Sequence, residues 1–126
     1  MAKGYLLDTN VLVDHLRHHP MVNQFMKTLD EEEKHYSIVT EIEVYAGARE
    51  AELPETDLLL SAISRLSLDE PVAKEAVRYL KLYAKSHGTD LPDAVIAATA
   101  HVHQLILVTW NIKHFPMSDI KVQSPV

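Results

Sequence analysis

Short apolar runs alternate with helical patterns along this sequence, and the alternation strongly constrains the fold. Residues 105–109 form an unbroken run of β-favouring residues, typical of a strand in the middle of a parallel sheet. Further strands are predicted at residues 4–7 and 36–39, with weaker ones at 65–68 and 119–122. Strands that alternate with helices predict an α/β fold, with a mostly parallel central sheet flanked by helices.

The predicted helices rest on apolar residues at helical spacing and on prolines near helix starts. They cover residues 10–17, 21–29 and 40–48, and three more begin at Pro54, after Pro71 and at Pro92. Gly88 is expected to end the helix after Pro71. Because the 126 residues contain no repeat and no low-complexity tract, we expect one domain over residues 1–126.

Composition excludes several classes of site and of protein. The chain has no cysteine, so it has no disulfide scaffold, thiol nucleophile or thiolate metal site. No apolar run has the length of a signal peptide core or a membrane span, so we expect a cytoplasmic protein without membrane contact. The net charge of −6 argues against coating nucleic acid through bulk positive charge. It does not exclude a nuclease, because cations held by carboxylates reverse the local charge.

Three acids lie near predicted helix starts, and each has a local structural explanation. Asp8 could cap the first helix, Glu43 could form a capping box with Thr40, and Asp93 could interact with a helix dipole. However, strand-to-helix junctions of a parallel sheet share the carboxyl edge of the strands, so the three acids are predicted to converge there. Clustered carboxylates suit Mg²⁺ or Mn²⁺, which prefer oxygen ligands.

Four motifs occur in order along the chain: LDTNVL at residues 7–12, VTEIEVYAGAR at 39–49, PDAVIAATA at 92–100 and LVTWNIKHF at 107–115. Together they resemble the PIN-domain family and, within it, the VapC toxins of prokaryotic toxin-antitoxin pairs. The resemblance implies a PIN-like three-layer fold and a type II (VapBC-type) toxin. It also implies an Mg²⁺- or Mn²⁺-dependent endoribonuclease that cleaves single-stranded RNA, forms a homodimer and is neutralised by a VapB-type antitoxin.

The resemblance also assigns roles to individual residues. Asp8, Glu43 and Asp93 are expected to be catalytic residues that hold the metal ion, with Asp8 and Asp93 as its main ligands. The expected supporting residues are Thr9, Asn10 and Thr109.

The fourth motif departs from the pattern of many relatives, which carry acids where Asn111 and His114 stand. Asn111 is still expected to take part in catalysis, because its carbonyl oxygen can accept a hydrogen bond from a metal-bound water, although it adds no charge. We therefore do not expect a second metal ion in the absence of substrate phosphate. Arg49, Lys113 and His114 are candidate contacts to RNA or to the antitoxin.

Two alternatives remain open at the level of sequence. Asn111 and His114, which stand where many relatives carry acids, are also compatible with a catalytically weak PIN-fold module that binds RNA or protein. A phosphatase of the haloacid dehalogenase type would use Asp8 as a nucleophile, but it would require an aspartate at the position of Asn10.

Overall fold

A computed structural model describes residues 4–126, so the first three residues of the predicted domain lie outside it. The described chain contains a five-stranded sheet with the strand order β3-β2-β1-β4-β5, and every neighbouring pair is parallel. The strands are β1 (Tyr5–Leu7), β2 (Lys34–Ser37), β3 (Ser64–Leu66), β4 (Ile106–Val108) and β5 (Val122–Gln123). This arrangement confirms the predicted α/β class, with a sheet that is wholly parallel.

Six α-helices connect the strands within residues 4–126. They are α1 (Thr9–Leu16), α2 (Pro20–Lys27), α3 (Ile38–Gly47), α4 (Leu53–Ala62), α5 (Glu70–His87) and α6 (Leu91–His103). Gly88 ends α5 in a left-handed conformation with a φ of 67°, as predicted for a glycine at this place. Among the helices of this described part, none is both long and apolar enough to cross a membrane.

The helices cover both faces of the sheet and produce three layers. Leu6 and Leu107 pack in one apolar cluster with residues of α5 and α6. Leu7 and Val108 alternate to the opposite face and pack in a second cluster with residues of α1, α2, α3 and α4. The alternation along β1 and β4 therefore produces the two cores of a three-layer α/β fold, as the sequence predicts.

The second strand and the helix after it begin earlier than predicted. The Ser37 side chain accepts a hydrogen bond from the Val39 N–H at 3.1 Å and caps α3, so Ile38 and Val39 are helical. Thr40 is consequently a fully buried residue inside the first turn, and the predicted capping box between Thr40 and Glu43 is wrong.

The last strand also differs from the prediction. It occupies Val122–Gln123, where residues 119–122 were expected. Asp119 instead accepts hydrogen bonds from Arg78 and from the buried Tyr79, and these contacts hold the segment before β5 against α5.

The strand order locates the crevice in which a doubly wound sheet binds ligands. From β1 the chain proceeds outward through β2 and β3 on one side, whereas β4 and β5 extend the other side. The strand order therefore reverses between β1 and β4, and ligands of such sheets bind outside the carboxyl ends of the strands at this point. Asp8 directly follows β1 and Thr109 directly follows β4.

Candidate active site

Asp8 is buried at the end of β1 and is fixed by two hydrogen bonds. One carboxylate oxygen accepts from the Thr9 N–H at 2.8 Å, so Asp8 is the N-cap of α1. The other accepts from the Thr109 hydroxyl at 2.8 Å. Burial raises the pKa of Asp8, and the negative charge of Glu43 raises it further, whereas these hydrogen bonds and His114 act in the opposite direction. The predicted capping role of Asp8 is confirmed, and the cap leaves the carboxylate at the carboxyl end of β1.

The Thr109 hydroxyl connects β4 to the helix after β1. It donates to Asp8 and accepts hydrogen bonds from the Asn10 side chain at 3.4 Å and from the Asn111 N–H at 3.0 Å. One donor and two acceptor positions are thus all used, which is the full capacity of a hydroxyl group. The Trp110 N–H in turn donates to the Asn10 side-chain oxygen at 3.4 Å, so Asn10 is held from two sides.

Glu43 lies on α3 and is joined to α1 through Thr9. The Thr9 hydroxyl donates to Glu43 Oε1 at 2.6 Å, and its oxygen lies 3.1 Å from the hydroxyl oxygen of Thr40. The contact explains how an exposed helical glutamate is oriented toward Asp8, whose pKa it raises. The contact of Thr40 with Thr9 was not predicted from the sequence, because the local pattern of Thr40 was interpreted as a helix cap.

Asp93 lies in the first turn of α6, close to two other acids. The Asp90 side chain caps this helix by accepting the Asp93 N–H at 3.0 Å. Burial raises the pKa of Asp93 to about 6, and the charges of Asp90 and Asp8 contribute in the same direction. His114 opposes the shift, and its Nδ1 lies 3.5 Å from Asp93 Oδ2. Asp90 is not among the predicted ligands, because helix starts commonly carry extra carboxylates, but its charge raises the pKa of Asp93.

Most of the described chain matches a known protein family. Residues 5–115 match the family model of the PIN domain. The chain belongs to the PIN domain family. The match extends from the first described strand to the segment after β4 and confirms the family that the four motifs predict.

Several relatives of this PIN domain are named proteins or solved structures. Ribonuclease VapC19 of Mycobacterium tuberculosis is 38% identical over 115 residues, which cover 89% of this chain and 92% of that protein. Toxin FitB of Neisseria gonorrhoeae is 33% identical over 135 residues, covering 95% and 96%. A chain of a toxin-antitoxin complex from Klebsiella pneumoniae is 28% identical and has a TM-score of 0.82, with 98% of each chain covered.

The other residues that the sequence predicts for the site of this PIN domain are Arg49, Asn111, Lys113 and His114, and all four are exposed. Arg49 Nε is 3.4 Å from a carboxylate oxygen of Glu52, so this cation pairs with an acid other than the three predicted ligands. Asn111, Lys113 and His114 are exposed in or beside the short turn after β4. Of these three, His114 contacts a predicted ligand, because its Nδ1 lies 3.5 Å from Asp93 Oδ2.

The carboxylates of Asp8 and Asp93 suit a divalent cation, such as Mg²⁺, that prefers oxygen ligands and retains several water molecules. Within residues 4–126, no group of three or more His, Cys, Asp or Glu side chains is arranged to hold a metal ion by itself. Mg²⁺, however, is usually bound by one or two carboxylates and retains several waters. The negative charge of Asp8 raises the pKa of Asp93, and a cation bound by both carboxylates would relieve this repulsion.

Proposed function

We propose that this chain is an Mg²⁺- or Mn²⁺-dependent endoribonuclease that cleaves single-stranded RNA as the toxin of a type II toxin-antitoxin pair. The supporting observation is the placement of Asp8, Glu43 and Asp93 around the crevice between β1 and β4, in a family whose relatives include a named ribonuclease and a named toxin. The proposed partner is a VapB-type antitoxin, because the Klebsiella pneumoniae relative was solved in a toxin-antitoxin complex. We also propose a homodimer and a cytoplasmic location.

In the proposed mechanism, Asp8 and Asp93 hold the cation, and the other polar residues orient them. A bound Mg²⁺ or Mn²⁺ supplies Lewis acidity, which activates water and stabilises charge on the scissile phosphate. The Thr9 N–H and the Thr109 hydroxyl fix both oxygens of Asp8 before substrate arrives. This preorganisation reduces the rearrangement needed to reach the transition state.

Glu43 is the proposed residue that orients the attacking water. The Thr9 hydroxyl occupies its Oε1, and Oε2 can then accept a hydrogen bond from a water above the phosphate. His114, beside Asp93, can donate a hydrogen bond to a phosphate oxygen. Asn111 is exposed next to this position and can contribute its amide without adding charge.

Metal removal tests the proposed function directly. Purified protein should cleave a mixed-sequence single-stranded RNA in Mg²⁺ or Mn²⁺, lose this activity in EDTA and regain it when the cation is restored, because the proposed chemistry depends on the ion. The measurement is the appearance of labelled fragments over time. A protein that binds Mn²⁺ by calorimetry but cleaves no RNA would instead favour the catalytically weak binding module.

Thr9 provides a smaller and more specific test of how Glu43 is positioned. Thr9→Val keeps the shape of the side chain but removes the donor to Glu43, so we expect cleavage to fall about 10-fold, as for other residues that orient a ligand. Thr9→Ser keeps the hydroxyl and should retain most of the activity. The measurement is the initial rate of cleavage by each variant, with thermal unfolding as a check on the fold. Equal rates for Thr9→Val and Thr9→Ser would contradict this role of Thr9.

A further inference from the structure

A cleft opens beside the acids, between α1, α3 and α4. Its volume is about 170 Å³. The apolar part of its wall is formed mainly by Val13 and Leu16 of α1 and by Val44 of α3. Gly47, at the end of α3, also lines the cleft.

Glu43 connects this cleft to the proposed catalytic site. It lines the cleft, and it also accepts the hydrogen bond of Thr9 that places it beside Asp8. A group bound in the cleft would therefore lie next to a phosphodiester that is bound at Asp8 and Asp93. In single-stranded RNA, the group next to each phosphodiester is the nucleobase of the adjoining nucleotide.

The size of the cleft limits what it can bind. Pockets for drug-sized ligands and cofactors usually measure about 300–1,000 Å³, and this cleft is clearly smaller. Its apolar walls suit the faces of one planar ring, because apolar surface is favourably removed from water. A whole nucleotide cofactor does not fit these dimensions, whereas one unpaired base does.

The polar groups around the cleft are mainly hydrogen-bond acceptors. Glu43 and Glu52 contribute carboxylates, and Arg17, the one cation among the described residues of the lining, lies 3.8 Å from Glu52 Oε2, beyond hydrogen-bond distance. Glu52 Oε1 accepts from the Arg49 N–H at 2.8 Å, and the Thr56 hydroxyl donates to the Glu52 backbone carbonyl at 2.8 Å. Because two carboxylates face one guanidinium, a ligand that presents N–H donors is favoured over one that presents mainly carbonyl oxygens.

We propose that this cleft binds one unpaired nucleobase next to the scissile phosphate and prefers adenine, cytosine or guanine to uracil. Each of the first three carries an exocyclic amino group, and carboxylates accept hydrogen bonds from such groups. Uracil instead presents one ring N–H between two carbonyl oxygens, which would face the carboxylates. The proposal rests on the proposed ribonuclease activity and adds a determinant of its sequence preference.

Gly47 allows the cleft to be filled without disturbing the fold. A Cβ built at this position meets no atom within 4 Å, and the residue is not among those with a positive φ. Glycine is also unfavourable in a helix, so a side chain at this position should not destabilise α3. Gly47→Leu should occupy much of the cleft, whereas Gly47→Ala adds one methyl group and serves as the matched control.

The experiment uses single-stranded oligonucleotides that differ in one base beside a cleavage site mapped with the wild-type protein. Wild-type protein should cleave the adenine, cytosine or guanine versions about 10-fold faster than the uracil version, the discrimination expected from one good polar contact. Gly47→Leu should lose this difference, and Gly47→Ala should keep most of it. Glu52→Gln replaces one carboxylate acceptor with an amide, so it should cleave the amino-bearing sites more slowly and reduce their advantage over uracil.

Binding provides a readout that does not depend on cleavage. In Mg²⁺ and in an Asp93→Asn background, which should not cleave, fluorescence anisotropy should show tighter binding of the amino-bearing oligonucleotides and a reduced difference when Gly47→Leu is added. Unchanged site selection by a folded Gly47→Leu protein would overturn the base pocket and leave the cleft for another partner. If wild-type protein cleaves no RNA with either cation, the proposed function itself fails, which is a separate outcome.

Discussion

Asp93→Asn is expected to abolish RNA cleavage while it stabilises the metal-free protein. The loss should be at least about 100-fold, because the substitution removes a proposed metal ligand, and even residues that only orient ligands account for about 10–100-fold. The gain in stability has a different cause. Burial and the charges of Asp90 and Asp8 raise the pKa of Asp93 to about 6, so its ionised form is unfavourable in the folded protein.

The pH dependence of this gain follows from the direction of the pKa shift. The pKa of Asp93 is raised above its ordinary value of 3.8, so the folded state binds a proton more readily than the unfolded state does. The contribution of Asp93 to the free energy of unfolding is therefore fully present below about pH 4, and it is lost as the pH rises through about 6. Asp93→Asn should therefore match the wild type at low pH and exceed it above pH 7.

The expected gain at neutral pH is about 1 kcal/mol after allowance for partial exposure, which corresponds to roughly 3–6 °C in Tm. Thermal unfolding in EDTA at several pH values measures it. Asp90→Asn is the matched control, because asparagine is an equally good N-cap and Asp90 is not a proposed ligand. This control should keep cleavage within a few-fold of wild type, and a lower Tm for Asp93→Asn would contradict the argument.

The sequence predicted the fold well because its strands and helices have strong local patterns. The apolar run before Asp8 and the run from Leu105 to Thr109 correspond closely to β1 and β4. Pro92 and Gly88 lie close to helix ends, as expected from the backbone preferences of these residues. These positions can be predicted because the responsible interactions lie within a few residues of one another.

The start of α3 was wrongly predicted because local signals conflict there. Ile38 and Val39 are β-branched residues that continue the apolar run of β2, and this pattern favours a strand. The Ser37 cap starts the helix instead, which reverses the interpretation of Thr40 and Glu43. Glu43 therefore does not form a capping box with Thr40. It accepts a hydrogen bond from Thr9, which lies 34 residues earlier in the sequence.

Long-range contacts of the candidate site are also beyond local sequence patterns. Asp8 and Thr109 are separated by 101 residues and meet only because β1 and β4 are neighbours in the sheet. The four motifs of the family resemblance predicted that these residues share a site. They did not predict the cleft beside Glu43, because it depends on the packing of α1, α3 and α4.

Asp8 offers a contrast with Asp93, because it is both a proposed metal ligand and a helix cap. Asp8→Asn should reduce cleavage at least about 100-fold, as Asp93→Asn does, but it should not stabilise the protein. Asparagine retains an oxygen for the Thr9 N–H, yet its amide N–H₂ would face the Thr109 hydroxyl. That hydroxyl already accepts two hydrogen bonds, so its own proton would lose its acceptor in a buried position.

A buried donor without a partner costs about 1–3 kcal/mol, which offsets the gain from removing the buried Asp8 charge. Asp8→Ala should be less stable still, because it also removes the cap of α1, at a cost of about 1 kcal/mol. Thermal unfolding in EDTA is expected to rank Asp93→Asn first, Asp8→Asn next and Asp8→Ala last, with little cleavage by any of them. If Asp8→Asn retained cleavage, Asp8 would be only a cap, and the metal would have to be held elsewhere in the crevice.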